Sequence, residues 1–240
     1  MGGSTLKKII SVIIPAYNEE LKIQRVLRTL ESIDAITNIF VIDDGSTDKT
    51  YRKVLKFKKV HLIKLPKNRG KGEALRIGIK NNIESADIIV FLDADIICDA
   101  NEISELLIPL ESNKVDVTVA KFSSKKAKAG IGLTKQLAKI GLYMTTNMHF
   151  GSILSGQRAF KKEVLKNISF ISNGFSVELE MLIEILRLQY VVKEVEIPMT
   201  HSETGRDLAG FLHRGKQFAH IAHMLVFKYL LKLHKNKEVL

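Results

Sequence analysis

Apolar and polar positions follow two periods along the first hundred residues. "KIISVIIP" (residues 8–15) is an almost unbroken apolar run, the mark of a strand buried on both faces. Beyond it Ile23, Val26, Leu27 and Leu30 fall at helical spacing, with Asn18 as the expected N-cap. The pattern then repeats. "IFVID" reads as a strand and "STDKTYRKVLK" as a helix beginning near Ser46 or Thr47. "VHLIKL" is a third strand, "KGEALRIGIKNN" a helix with Ala74, Leu75, Ile77 and Gly78 inward, and "DIIVFLD" a fourth strand. Strand and helix in such close alternation predict an α/β fold with a mostly parallel, Rossmann-like central sheet flanked by helices.

The second half is less regular. "VDVTVAKF" predicts a strand, residues 121–131 a loose basic loop, and "LTKQLAKIGLYMTTN" a helix. "GFSVELEMLIEILRL" predicts a helix with Val177, Met181, Ile185 and Leu188 aligned, and "YVVKEVEIPM" a strand with one exposed face. From Arg206 the chain reads as one long amphipathic helix, striped by Phe218, Ile221, Leu225, Tyr229 and Leu233. That stripe calls for cover by the protein itself or by a partner copy in a homodimer, with weak peripheral contact to a membrane at most. His220 and His223 belong to its solvated face. No repeat or linker divides the chain, so residues 1–100 and 101–240 are two halves of one compact domain.

Polar residues gather where strands end. "PAYNEE" follows the first strand, "DDGSTD" the second, and Asp93 and Asp95 interrupt the buried run "IIVFLDADII". Each cluster alone reads as a turn. Together they lie at one edge of the sheet, where ligands of open α/β sheets bind. Two carboxylates at a buried strand end also demand a positive partner.

Composition narrows the partners. The formal net charge of +11 over 240 residues suits phosphorylated small molecules, anionic lipid or nucleic acid. Cys98 is the lone cysteine, which excludes a disulfide framework and a cysteine-rich zinc site and fits a reducing, cytoplasmic setting. No apolar run reaches the roughly 18 residues that span a bilayer.

Four motifs, "SVIIPAYNEE", "VIDDGSTDKT", "NRGKGEALRIGI" and "FLDADI", in this order and spacing, resemble glycosyltransferase family 2 of the GT-A nucleotide-diphospho-sugar transferase fold. Downstream, "LSGQRAFKKEVL", "GFSVELEMLIEI" and "MTHSETGRDL" resemble, more loosely, the acceptor half of glucosyl-3-phosphoglycerate synthases. The resemblance implies a metal-dependent hexosyltransferase with a nucleotide-sugar donor and Mg²⁺ or Mn²⁺ as cofactor. Residues 1–100 would bind the donor and 101–240 the acceptor.

The same resemblance assigns roles. It places Asp95 on the metal, completed by His201, and Asp93 toward the ribose. Asp44 would accept from a ring N–H, favouring UDP or GDP. Pro15, Ala16 and Tyr17 would wall the base and ribose pocket, with Glu19 near the ribose. Lys71 would stand near the nucleotide and Arg206 would clamp the diphosphate. Asp43 is expected as a buried structural partner. Ser155, Gly156, Gln157 and Arg158 fall in a loop facing the acceptor, and Glu178 would contact or deprotonate the acceptor hydroxyl. The acceptor is either a small phosphorylated acid such as 3-phosphoglycerate or a polyprenyl phosphate at a membrane surface.

Two other classes rank lower. Nucleotidyltransferases of this fold carry a basic Gly-rich loop where this chain has the acidic "PAYNEE". A non-catalytic polyanion binder would use the net charge but leaves the acidic strand ends unexplained.

Overall fold

The computed structural model describes residues 8–97, 99–111, 114–122, 132–174, 176–198, 200–201 and 215–227. In chain order the first half contains β1 (Ile10–Ala16), α1 (Ile23–Glu31), β2 (Asn38–Asp43), α2 (Thr50–Val54), β3 (Val60–Lys64), α3 (Lys71–Asn82), β4 (Ile88–Phe91) and β5 (Ile96–Ile97). The second half contains α4 (Ala100–Leu107), β6 (Val117–Phe122), α5 (Leu133–Thr146), β7 (Arg158–Lys161), α6 (Lys162–Asn167), α7 (Val177–Arg187), β8 (Val192–Ile197) and β9 (Thr200–His201). Residues 215–227 form a last helix, α8.

Seven strands form one sheet in the order β3-β2-β1-β4-β7-β6-β8. Pairing is parallel from β3 to β4 and between β6 and β8, while β7 runs antiparallel to both its neighbours. The pairing of β4 with β7 makes the two halves of the chain one continuous sheet. Alternation along the strands then divides the core. Val12, Ile14 and Val90 pack with α1 and α4 on one face, through Leu27, Leu30 and Leu106. Ile13, Ile89 and Phe91 pack with α3 and α7 on the other, through Leu75, Val177 and Met181. The continuous apolar runs are therefore strands covered on both sides, as read from the sequence.

Four local expectations are corrected. Asn18 does not cap α1. It adopts a left-handed backbone (φ 56°) and its side chain accepts from the Thr47 N–H at 2.9 Å, while Lys22 occupies the cap position with no side-chain bond. The second helix starts at Thr50, because Asp48 accepts from the Thr50 N–H and hydroxyl and holds residues 46–49 as a loop. Leu188 lies just beyond α7 and is exposed. On α8 the buried residues are Ile221 and Met224, with Leu225 packed beside them, whereas Phe218 is exposed. His220 and His223 are exposed, as expected. Residues 123–131, Arg206, Tyr229 and Leu233 lie outside the described residues.

Candidate active site

The sheet ends β1, β2 and β4 at one edge, and the polar clusters that follow them meet there. After β4 the chain continues through Leu92 and Ala94, both buried, so the intervening Asp93 and Asp95 turn toward the opening. Their carboxylates then part company. Asp93 Oδ1 receives the Lys71 ammonium at 2.6 Å, and Oδ2 accepts from the Gln157 amide at 2.7 Å. Asp95 Oδ2 lies 3.7 Å from the Lys22 ammonium, which also lies 3.4 Å from Glu19. The positive partner required by the buried strand end is therefore Lys71 for Asp93, with Lys22 standing by Asp95.

Lys71 is the first residue of α3 and reaches a second carboxylate, Glu178 Oε1, at 2.7 Å. Burial alone would lower the ammonium's pKa. Asp93 and Glu178 together outweigh it and raise the group above its ordinary value. Gly156 is the wall of this cluster: a Cβ there would fall 2.6 Å from Asp93 Oδ2 and 2.7 Å from Lys71 Nζ. No side chain fits at that position unless the ion pair moves.

Arg158 departs from its expected place in a loop. It opens β7, is 1% exposed, and donates to the carbonyls of Ser155 (2.8 Å) and Ile153 (2.7 Å). Burial lowers its pKa to about 10 against the upward pull of Glu178 and Asp93, so it stays charged at neutral pH. Lys71 and Arg158 thus balance Asp93 and Glu178, two cations against two anions in a half-buried setting. Ser155 is buried, and its hydroxyl lies 3.4 Å from Gln157 Oε1. Residues 155–157 form the expected loop, and only Arg158 leaves it for β7.

Asp44, at the end of β2, is nearly buried and accepts from the Arg69 N–H at 2.7 Å and the Gly70 N–H at 2.8 Å. Burial raises its pKa, and these two N–H groups pull it back. It therefore fixes the loop that leads into α3. Gly70 has φ 93°, a conformation natural to glycine. Gly72 permits a close approach of its own: a Cβ there would sit 1.8 Å from the Ser172 carbonyl oxygen, so the start of α3 lies against residues 172–173. Glu180 holds that segment from below, accepting from the Ser172 N–H at 2.8 Å while 1% exposed. The two glutamates of "SVELE" are thus separated, Glu178 into the site and Glu180 into the scaffold.

The remaining candidates follow the first strand. Ala16 is buried, Pro15 half-buried and Tyr17 exposed. Glu19 has a raised pKa, from burial first, with Lys22 opposing and Asp95 adding to the shift. Asp43 is fully buried and accepts from the Ser46 N–H at 2.9 Å, the structural role expected of it. β9 pairs with β5 so that His201 stands opposite Ile96, the residue after Asp95. Among the described residues no group of three or more His, Cys, Asp or Glu has metal-holding geometry. Lys22 was not foreseen: its spacing from Glu19 reads as an ordinary helical pair, and nothing local signals Asp95.

The site matches a known family. The profile of glycosyl transferase family 2 covers residues 11–173. The UDP-N-acetylglucosamine–dolichyl-phosphate N-acetylglucosaminyltransferase of Methanococcus voltae is 33% identical over 184 residues, 68% of this chain and 73% of that one. The dolichol-phosphate mannosyltransferase of Pyrococcus furiosus is 28% identical over 203 residues, 80% of this chain and 56% of that one. Among solved structures, glucosyl-3-phosphoglycerate synthase of Mycobacterium tuberculosis, in complex with Mn²⁺, UDP-glucose and phosphoglyceric acid, superposes with a TM-score of 0.72. It is 25% identical, over 91% of this chain and 80% of that one. The chain belongs to glycosyltransferase family 2, with the GT-A fold, and is a glycosyltransferase.

Proposed function

We propose that the chain transfers a sugar from a UDP-linked donor to an acceptor that presents a phosphate, with Mn²⁺ or Mg²⁺ as cofactor. The observation that carries this reading is the division of labour between Asp93 and Asp95. Asp93 is tied into the floor by Lys71 and Gln157, while Asp95 lies beside the β5–β9 pairing that brings His201 alongside.

A carboxylate and an imidazole fit Mn²⁺, with Mg²⁺ relying more on oxygen donors and water. Asp95 and His201 would hold the ion, which supplies charge neutralisation at the departing diphosphate. Asp44 would accept from the uracil ring N–H, since each of its oxygens retains a lone pair beyond those given to Arg69 and Gly70. Pro15, Ala16 and Tyr17 would wall the base pocket, Arg206 would clamp the diphosphate, and Asp93, fixed by Lys71, would orient the donor. The segment 155–158 would shape the acceptor side.

Two acceptor classes remain distinct. A polyprenyl phosphate is favoured by the Methanococcus voltae relative and by the state of Glu178. Its Oε1 already accepts from the Lys71 ammonium at 2.7 Å, which suits an acceptor whose attacking oxygen is already anionic and needs no base. A small acid such as 3-phosphoglycerate is favoured by the fold likeness to the M. tuberculosis synthase. Titration calorimetry of UDP with and without Mn²⁺ tests the donor side. A transfer assay offering dolichyl phosphate in micelles and 3-phosphoglycerate, read by mass spectrometry, tests the acceptor. UDP binding indifferent to Mn²⁺ and to EDTA would remove the metal assignment.

A further inference from the structure

Helix α5 has two apolar faces, and among the described residues one is buried and the other largely exposed, with Leu137 partly packed on the core between them. Ala138 and Leu142 are buried against α7 and α8, through Leu182, Ile183 and Ile221. Leu133, Leu137, Ile140 and Met144 recur at i, i+4, i+7 and i+11, a single stripe along the helix. Leu133, Ile140 and Met144 on that stripe are 54%, 50% and 56% exposed. Tyr143 and Met148 are exposed close by. Isolated exposed apolar side chains are ordinary, but a continuous stripe marks an interaction surface.

Helix α8 lies beside this face. Leu225 packs on Gly141 of α5, and on α8 itself Phe218, Val226 and Phe227 are exposed on different sides of the helix. The formal charges on these two helices have one sign. Lys135 and Lys139 on α5 and Lys216 on α8 are exposed. Neither helix contains an Asp or Glu, in a chain that has 26 of them.

We infer that the α5–α8 face seats the protein on an anionic lipid surface. The complement of an apolar stripe edged by lysines is an apolar layer topped with negative charge, as at a bilayer of acidic phospholipid. A second copy is the poorer match, because an isologous dimer would set this carboxylate-free face against itself, lysine facing lysine. The face is joined to the catalytic side of the fold: α5 packs on α7, whose first turn carries Glu178. Seating therefore depends on the surface of two helices and not on which acceptor is used.

Flotation of the full chain with vesicles of phosphatidylglycerol and phosphatidylcholine, compared with phosphatidylcholine alone, tests this without any substrate. Binding is expected to the anionic vesicles and to fall as salt is raised. Lys135→Gln with Lys139→Gln should weaken partitioning by about 25-fold, roughly fivefold for each lysine. Ile140→Ser with Met144→Ser should weaken it by at least about tenfold. Both pairs are exposed and none of the four residues is among those assigned to the donor, so UDP binding by calorimetry and the thermal unfolding midpoint should stay unchanged, which separates loss of seating from loss of fold or site. Absence of binding to anionic vesicles, equal binding to neutral ones, or a dimer that Ile140→Ser with Met144→Ser dissociates would each overturn the inference.

Discussion

The Lys71 ammonium lies 2.7 Å from Glu178 Oε1, joining the first turns of two helices 107 residues apart in sequence. The same nitrogen holds Asp93 at 2.6 Å, so Glu178 shares one ammonium with a second carboxylate. If the attacking oxygen belongs to a phosphate, Glu178→Gln should lower kcat by less than about tenfold. A hydroxyl acceptor needing a base would lose about 10²–10⁴-fold. Steady-state kinetics of the variant on each acceptor class checks this.

Lys71→Met removes the cation between two carboxylates and leaves Arg158 alone to offset them. Turnover should fall by about 100-fold or more, while UDP affinity, proposed to rest on Asp44 and Asp95, should change far less. The pH dependence has a defined sign. The folded pKa of Lys71 lies above its unfolded value, so its stabilisation is fully present below the unfolded pKa and is lost only as pH rises through the higher folded one. No step in stability attributable to Lys71 is expected between pH 6 and 9, roughly the range below its ordinary value near 10.4.

Asp95→Ala should weaken Mn²⁺-dependent UDP binding by at least about 100-fold and leave the unfolding midpoint near wild type. The Lys22 ammonium is 3.7 Å away in a partly exposed pair, which contributes little to stability. Calorimetry and thermal melts read the two effects separately. UDP binding that keeps its full metal dependence in the variant would refute the assignment.

On the proposed assignment to the base, Asp44 should carry the acid limb of donor binding. Burial raises its folded pKa above the ordinary value of 3.8, so the folded protein takes up this proton first as pH falls. Fold stability attributable to Asp44 therefore declines as pH rises from 3.8 through the folded pKa and is flat above it. UDP binding runs the other way, since only the carboxylate can accept from a ring N–H. Affinity should drop as pH falls through the raised value, and Asp44→Asn should abolish that limb. Tighter binding of ADP than of both UDP and GDP would refute the base assignment.

Arg158→Met should destabilise the protein by about 3 kcal/mol, because two buried carbonyls lose their donors and Asp93 and Glu178 lose a counter-cation. Glu180→Ala should cost about 1–3 kcal/mol by orphaning the N–H groups of residues 171 and 172. Urea unfolding measures both. Glu178→Gln, whose amide oxygen can still accept from Lys71, should cost less than either, and that contrast separates scaffold glutamate from site glutamate.

Much of this protein was determined by local pattern. Period-two and period-3.6 apolar spacing located the strands of the first half and set α3 at Lys71–Asn82, because burial on both faces leaves no room for polar residues except at strand ends. The same constraint made Asp44, Asp93 and Asp95 conspicuous in the sequence. What the sequence could not decide is who meets whom across the sheet. Asn18 and Thr47 are 29 residues apart, and their hydrogen bond displaced an expected helix cap. "SGQRAF" has loop composition, yet pairing with β4 and β6 draws Arg158 into the interior, where only the juxtaposition of Glu178 and Asp93 makes a buried guanidinium tolerable. Nothing local distinguishes the stripe on α5 that is buried from the one that stays exposed. Side-chain chemistry fixes which groups need a partner, and the partner itself is settled by contacts between distant segments, which exist only once the sheet has closed and α7 has brought Glu178 to Lys71.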